Sequence, residues 1–500
     1  MSTPSDDPVV RHWGAHRQTK RPPWPWWVWG ALALVVVAAI AVAIRLATRS
    51  HPWHPPSGSV RFVSCTYGGY IRASCGTVDA PADPGRPDGR TVALHVAVLP
   101  ATDQPAKGAL FYLEGGPGGA ATQSAVKVNE LFAEVTRDRD VVMVDQRGTG
   151  GSARLACPNR AVSAEDAAAV AAYVRHCFAH LRSDVRLDTT SVAAGDVDYV
   201  RRALGYGKID LYGGSYGATL AEAYLRQFPG SVRSVVLDSG SLPNVRLYDV
   251  SARNAEAALD KILVRCARAP ACRRAYPHTR GELSALLRRP PVHITVPEGS
   301  YALSADDIAW TVDALSQSMD GAASIPYDVH EAYRGNYVPL AESFAQDIGP
   351  DLEGSGQLAM FWVIECSEPW ARFDPAETAR LGGSSYLTAA AVARARLYRQ
   401  ACTAVPKGRV PADAGSLPVV HAPALLLAGG EDPLDPAANL DGWERWFPEG
   451  RLVVVPSAAH GTIESFCVQL LVAHFVESRD TRGLDASCVR QVAPTPFETG

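Results

Sequence analysis

The stretch LYGGSYGATLAEAYL, Leu211–Leu225, sets an apolar run directly against a helical pattern, with one serine at the join. Gly213 and Gly217 flank Ser215 in a Gly-x-Ser-x-Gly pattern, and Gly214 adds a third glycine. A chain that leaves a strand and enters a helix within so few residues crowds its own backbone, so side chains at the two flanking positions would collide. The pattern predicts a nucleophile elbow, in which a tight turn lifts the serine hydroxyl above the sheet edge. The helix that follows would aim its unpaired N–H groups, that of Tyr216 first, at the place where an oxyanion develops. Alone, five residues of this kind recur often by chance, and the rest of the chain decides.

Short apolar runs surround the elbow. TVALHVAVL, ALFYLE, DVVMVD, IDLYG and SVVLD alternate with helical patterns such as SAEDAAAVAAYVRHCFAHL, which predicts a parallel sheet covered by helices. Near Gly240 the rhythm stops. Residues 242–415 read as mostly helical without an internal repeat, and strand-like ALLLAG and RLVVVP then return. The expected architecture is α/β, with a core built from residues 60–241 and 416–500 and a helical cap, 242–415, inserted between them. At 500 residues and 47% hydrophobic, the chain is long enough to bury such a core.

The segment WPWWVWGALALVVVAAIAVAI, Trp24–Ile44, carries no charge and is long enough to cross a bilayer as a helix. Arg11, Arg17, Lys20 and Arg21 precede it, while Arg45 and Arg49 follow, so the positive-inside bias keeps residues 1–23 as a cytoplasmic tail. Residues 24–44 form the expected single-pass anchor, and the Pro/Ser/Gly-rich stretch 45–59 the linker. The alternative is a secreted protein whose signal peptide is cleaved beside Ala41 and Ala43. Both place the remaining chain outside the cytoplasm. Ten cysteines with no Cys-x-x-Cys spacing agree, favouring structural disulfides over a metal or redox site. Pairing between sequence neighbours is the simplest scheme, though spacing leaves connectivity open. A formal net charge of −4, without a basic stripe, argues against a nucleic-acid partner.

Three further segments give the serine company. LEGGPGGA, Leu113–Ala120, follows an expected strand where the second oxyanion donor belongs, and Gly116 is the candidate because Pro117 has no N–H. LLLAGGEDPLDP puts Asp432 just past a strand, with Asp435 as competitor, and VVVPSAAHG does the same for His460. The chain order Ser, Asp, His is that of the α/β-hydrolases. Serine hydroxyl is a weak nucleophile until a base takes its proton; His460 would do so and later protonate the leaving group, with Asp432 orienting the imidazole. No cofactor or metal is required.

GGPGGA, VDQRGTGGS (Val144–Ser152), DTTSVAAGDVDYVRRALG (Asp188–Gly205), YGGSYGATLAEAYLRQFP (Tyr212–Pro229), DPLDP and AAHG together resemble the prolyl aminopeptidase and tripeptidyl aminopeptidase family of serine peptidases. The resemblance implies an α/β-hydrolase fold with a helical cap. It also implies release of short N-terminal fragments, or single residues, from peptides with a free amine. It makes Asp432 the triad acid, since the acid leads the family's Asp-Pro-x-Thr-Pro run. Here Asp435 stands in place of the threonine, and Glu114 stands where the prolyl enzymes carry histidine. Family behaviour further implies carboxylates near the cap for the substrate amine, and FWVIECSEPW offers Glu365 and Glu368, with Glu114 as a third candidate. Asp145 and Arg147 are expected to shape a loop through buried hydrogen bonds. Two other functions use the same parts: an esterase or amidase acting on small exported metabolites, and a surface protein that binds without catalysis. Oligomeric state is not legible.

Overall fold

The computed structural model describes residues 60–157, 167–181, 183–347 and 358–499. Its centre is a nine-stranded sheet made of β1 (Phe62–Tyr67), β2 (Ile71–Pro81), β3 (Thr91–Leu99), β4 (Ala109–Leu113), β5 (Asp140–Val144), β6 (Ile209–Gly214), β7 (Val232–Asp238), β10 (Ala424–Gly429) and β11 (Gly450–Val455). The order across the sheet is β1-β2-β3-β5-β4-β6-β7-β10-β11. Pairs up to β3–β5 are antiparallel, and all pairs from β5–β4 onward are parallel.

Helices cover both faces. Thr190–Ala203 and Tyr216–Gln227 pack on the side of Val96, Phe111, Leu211 and Leu426, whereas Ala125–Leu131 and Phe466–Ser478 pack against Leu110, Met143, Val236 and Leu425. That is why β5 and β10 are buried at every position and read in sequence as unbroken apolar runs. Strands β1 and β2 escaped the sequence reading. β1 is half exposed, and its Phe-Val-Ser-Cys-Thr-Tyr sequence has neither a continuous apolar run nor a clean alternation.

Between β7 and β10 the chain runs through helices from Leu247–Arg268 to Thr388–Ala401. The stretch expected to be mostly helical also holds an antiparallel hairpin of β8 (Val292–Val296) and β9 (Gly299–Leu303). Both strands are partly exposed with one buried end, so the hairpin's only sequence signal was the β-branched run Val-His-Ile-Thr-Val before a turn. The Leu247–Arg268 helix returns to the core, where Lys261 Nζ donates to Gly430 O at 2.7 Å and Arg265 grips both oxygens of Glu431 at 3.0 Å.

All ten cysteines are paired between sequence neighbours: Cys65–Cys75, Cys157–Cys177, Cys266–Cys272, Cys366–Cys402 and Cys467–Cys488. Five disulfides point to an extracytoplasmic location. Among the described residues no helix is long and apolar enough to cross a membrane, and the candidate span Trp24–Ile44 lies outside them.

Candidate active site

Ser215 stands at the join of β6 and the helix Tyr216–Gln227 with φ 54° and ψ −128°. This backbone costs a non-glycine residue about 1–3 kcal/mol and persists only where its surroundings dictate it. Here the Ser215 N–H donates to Asp238 O at 2.9 Å, and Ser215 O accepts from Ala218 N–H at 2.8 Å. The flanking glycines are dictated by contact. A Cβ on Gly213 would lie 2.2 Å from Gly217 O, and one on Gly217 would lie 2.1 Å from Leu113 O.

Sheet order assembles the rest. β4 pairs with β6 in register Leu113↔Gly213, so the glycine loop that follows β4 lies over the elbow. A Cβ on Gly115 would sit 4.0 Å from Ser215 Oγ. The N–H of Gly115 is committed to Glu114 Oε1 at 2.9 Å, whereas Gly116 is exposed with φ 119°. Tyr216 N–H opens the helix and is one of its four donors without an intrahelical acceptor. Glu114 has other work than reaching the cap. Its oxygens take Tyr112 Oη at 3.2 Å, Gly115 N–H and Ser124 Oγ, so it braces the glycine loop.

β10 and β11 extend the sheet beyond β7 and end at the other two candidates. His460 Nδ1 lies 3.0 and 3.2 Å from the two oxygens of Asp432, which leaves Nε2 for a serine hydroxyl. Asp432 is fully buried and accepts the N–H groups of Leu434 at 2.8 Å and Asp435 at 3.0 Å. Burial works to raise its carboxyl, but the charge and hydrogen bond of His460 and those two amides hold it below the usual range. Asp435 is buried beside it and bonded to Ser241 Oγ; burial and the neighbouring Asp432 push it up to about 6, against the pull of His460 and Ser241. Asp432, not Asp435, carries the contact to histidine. For His460, burial lowers the imidazole, but the charges of Asp432, Asp435 and Asp238 outweigh it and push it up to about 9.

Asp238 and Ser239 were not singled out in the sequence, and they hold the histidine loop. Asp238 accepts from Tyr212 Oη at 2.8 Å, Thr462 N at 3.0 Å, Thr462 Oγ1 at 2.8 Å and Ile463 N at 3.0 Å, and Ser239 Oγ accepts Gly461 N–H at 2.8 Å. Their signal was available: an acid at the C-terminal end of a parallel strand sits where such sheets place their chemistry. The cap touches the same loop through Gln317 O, which accepts His460 N–H at 3.1 Å.

Asp145 and Arg147 are buried. Asp145 takes the Thr122 and Gly151 amides at 2.9 Å and faces His95 Nδ1 at 3.2 Å, while Arg147 binds both oxygens of Asp196 at 2.7 Å. In the cap, Glu368 is 5% exposed and accepts Thr190 N–H at 3.1 Å; Thr190 Oγ1 in turn lies 2.9 Å from Tyr216 Oη. Glu365 is 2% exposed, and its Oε2 has no hydrogen-bond partner. Burial pushes its carboxyl up to about 8 with help from Glu368, opposed by the Tyr248 hydroxyl and Arg394. The structure thus brings Ser215, Gly116 and Tyr216 to one edge, Asp432 and His460 together at the neighbouring strand ends, and Glu365 with Glu368 in the cap. Among the described residues no group of three or more His, Cys, Asp or Glu is arranged to hold a metal ion.

A strained serine between a parallel strand and a helix, at the edge where an Asp–His pair also ends, defines the serine hydrolases of the α/β-hydrolase class. The chain belongs to that family: residues 108–465 match the model of the alpha/beta hydrolase fold. Among its curated relatives is a tripeptidyl aminopeptidase of Streptomyces lividans, 33% identical over 186 residues, which are 33% of this chain and 35% of that one. Another is the serine protease Hip1 of Mycobacterium tuberculosis, 29% identical over 223 residues, 40% and 42% of the two chains. These names agree with the resemblance carried by the motifs. The matched stretches cover well under half the length of either relative. A solved proline iminopeptidase of Mycobacterium smegmatis aligns at 17% identity with a TM-score of 0.39, covering 81% of this chain and 99% of that one.

Proposed function

We propose that the protein is an exported aminopeptidase that releases short N-terminal fragments, or single residues, through an acyl-enzyme on Ser215. The observation that carries this reading is the pair of buried cap carboxylates, Glu365 with an unpartnered oxygen and Glu368 tied through Thr190 to Tyr216, the residue after the nucleophile. A buried carboxyl oxygen without a hydrogen bond, such as Glu365 Oε2, is costly, and a substrate ammonium supplies the missing donor. The names of the relatives point the same way.

In this mechanism Ser215 Oγ attacks the scissile carbonyl carbon while His460 Nε2 takes the hydroxyl proton. The N–H groups of Tyr216 and Gly116 hold the oxyanion. The tetrahedral adduct collapses, the C–N bond breaks, and His460 returns its proton to the leaving amine. Water then attacks the acyl carbon with His460 again as base, and the fragment leaves as a carboxylate. Asp432 keeps Nδ1 protonated and stabilises the imidazolium throughout. The segment Trp24–Ile44 anchors the enzyme, with the catalytic domain on the extracytoplasmic side; its apolar length and the five disulfides support this placement.

The test compares a free-amine tripeptide anilide with its N-acetylated twin, using Ser215→Ala as the blank. Cleavage of the free form alone is expected. Equal cleavage of both would remove the aminopeptidase reading and leave a general esterase or amidase.

A further inference from the structure

The end of the helix Leu358–Ser367, the turn Pro369–Ala371 and residues 407–415 line a solvent-open cavity of about 800 Å³ in the cap. Its floor is apart from its rim in charge. Glu365 and Glu368 line it as buried side chains, while Arg372, Arg399 and Lys407 line it as exposed ones and Arg246 joins them. Two of these cations are engaged: Arg246 pairs with Asp249 at 3.2 Å, and Lys407 Nζ donates to Cys366 O at 2.8 Å. Arg372 and Arg399 meet no carboxylate among the described residues. The remaining acid of the lining, Asp374, is turned to the start of the helix Pro375–Gly382, whose Ala376 and Glu377 amides it caps at 3.1 and 3.5 Å.

This arrangement is unusual for a chain of net charge −4. An ammonium approaching alone meets a cationic rim before it reaches the carboxylates, and like charges at a concave mouth lower the rate of entry. A simple anion is drawn to the rim and then finds two carboxyl groups below. Only a ligand that carries both charges a short distance apart satisfies floor and rim together.

We infer that the cavity selects peptides bearing an acidic side chain at or next to the free amino terminus, with the ammonium on Glu365 and Glu368 and the side-chain carboxylate on Arg372 and Arg399. The ammonium half rests on the aminopeptidase reading; the carboxylate half does not. The Arg fork matches a carboxylate in a bidentate manner, which Lys does not, so the two unpaired arginines are the natural partners.

The experiment measures kcat/KM for the p-nitroanilides of Glu-Ala-Ala, Ala-Ala-Ala and Lys-Ala-Ala, each with a free and an N-acetylated amine. It is run on the whole protein and on Arg372→Gln/Arg399→Gln. A preference of about tenfold for the acidic free-amine substrate is expected, the size of one charge-assisted contact at a partly exposed site. It should fall with added salt and vanish in the double variant. Arg372→Glu/Arg399→Glu should invert it toward Lys-Ala-Ala. Unblocked Ala-Ala-Ala-Ala distinguishes a side-chain carboxylate from a chain terminus, since only the latter would gain from a free C-terminus. Should no anilide turn over, the same ranking is read as Kd on Ser215→Ala. Equal rates for acidic and neutral substrates, or a preference that survives the double variant, overturn the proposal. An acidic preference that persists in the acetylated series removes the amine half and the aminopeptidase reading while keeping the anion pocket.

Discussion

At the scale of single residues, His460 faces three carboxylates, Asp432, Asp435 and Asp238, and they hold its proton up to about 9. Acylation needs the neutral imidazole, so kcat/KM is expected to climb between pH 7 and pH 9. Asp435→Asn removes one of those charges and is expected to move the rise to lower pH without abolishing turnover, because Asp432 keeps the hydrogen bond. A profile already flat above pH 7, or one unmoved by Asp435→Asn, would contradict this account. The sign for stability follows from the same shift. His460 binds its proton more tightly in the folded chain, so its contribution is full below its ordinary value of 6.5 and fades as pH rises through about 9. The candidate triad was legible because Ser, Asp and His each end an apolar run in the right chain order. The brace on Glu114 was not, because Ser124 and Tyr112 reach it only once the glycine loop is folded.

At the scale of elements, the elbow is fixed by backbone touching backbone. Gly217→Ala would drive a methyl group to 2.1 Å from Leu113 O, so the helix start must shift against β4. A displacement of about 1 Å at a nucleophile costs about 100-fold in rate, and a loss of at least that size is expected in kcat for any soluble variant. The loop after β5 is held differently. Arg147→Met leaves the buried Asp196 carboxylate without its two 2.7 Å contacts, and unfolding free energy is expected to fall by about 3–5 kcal/mol. Urea unfolding measures it, and a loss below about 1 kcal/mol would show the pair to be dispensable. The parallel strands β4, β5, β6, β7 and β10 were readable from sequence because both their faces are covered and apolar residues dominate them. The two hairpins, β1–β2 and β8–β9, were not. Their exposed positions mix polar and apolar residues, and what fixes them is pairing partners that local pattern does not reveal.

At the scale of the whole molecule, Cys366–Cys402 staples the cap helix bearing Glu365 to the end of the helix Thr388–Ala401. Cys366→Ser/Cys402→Ser is expected to lower stability by about 2–4 kcal/mol. It should also reduce kcat/KM for free-amine peptides more than for acetylated ones, because Glu365 and Glu368 flank the bond. An equal fall on both series would make the disulfide a staple with no bearing on substrate choice. Disulfide pairing between sequence neighbours lets each bridge close within one local segment, 6 to 36 residues apart, so core and cap are stapled separately and meet through contacts such as the Arg265 side chain on Glu431 and the Gln317 carbonyl on the His460 N–H. This assembly is expected to activate Ser215. The most direct test treats the folded protein with a fluorophosphonate and maps the adduct by peptide mass spectrometry, beside the His460→Ala variant. A single adduct on Ser215, lost or greatly slowed in His460→Ala, is the predicted result; an unlabelled Ser215, or labelling indifferent to His460, would contradict it.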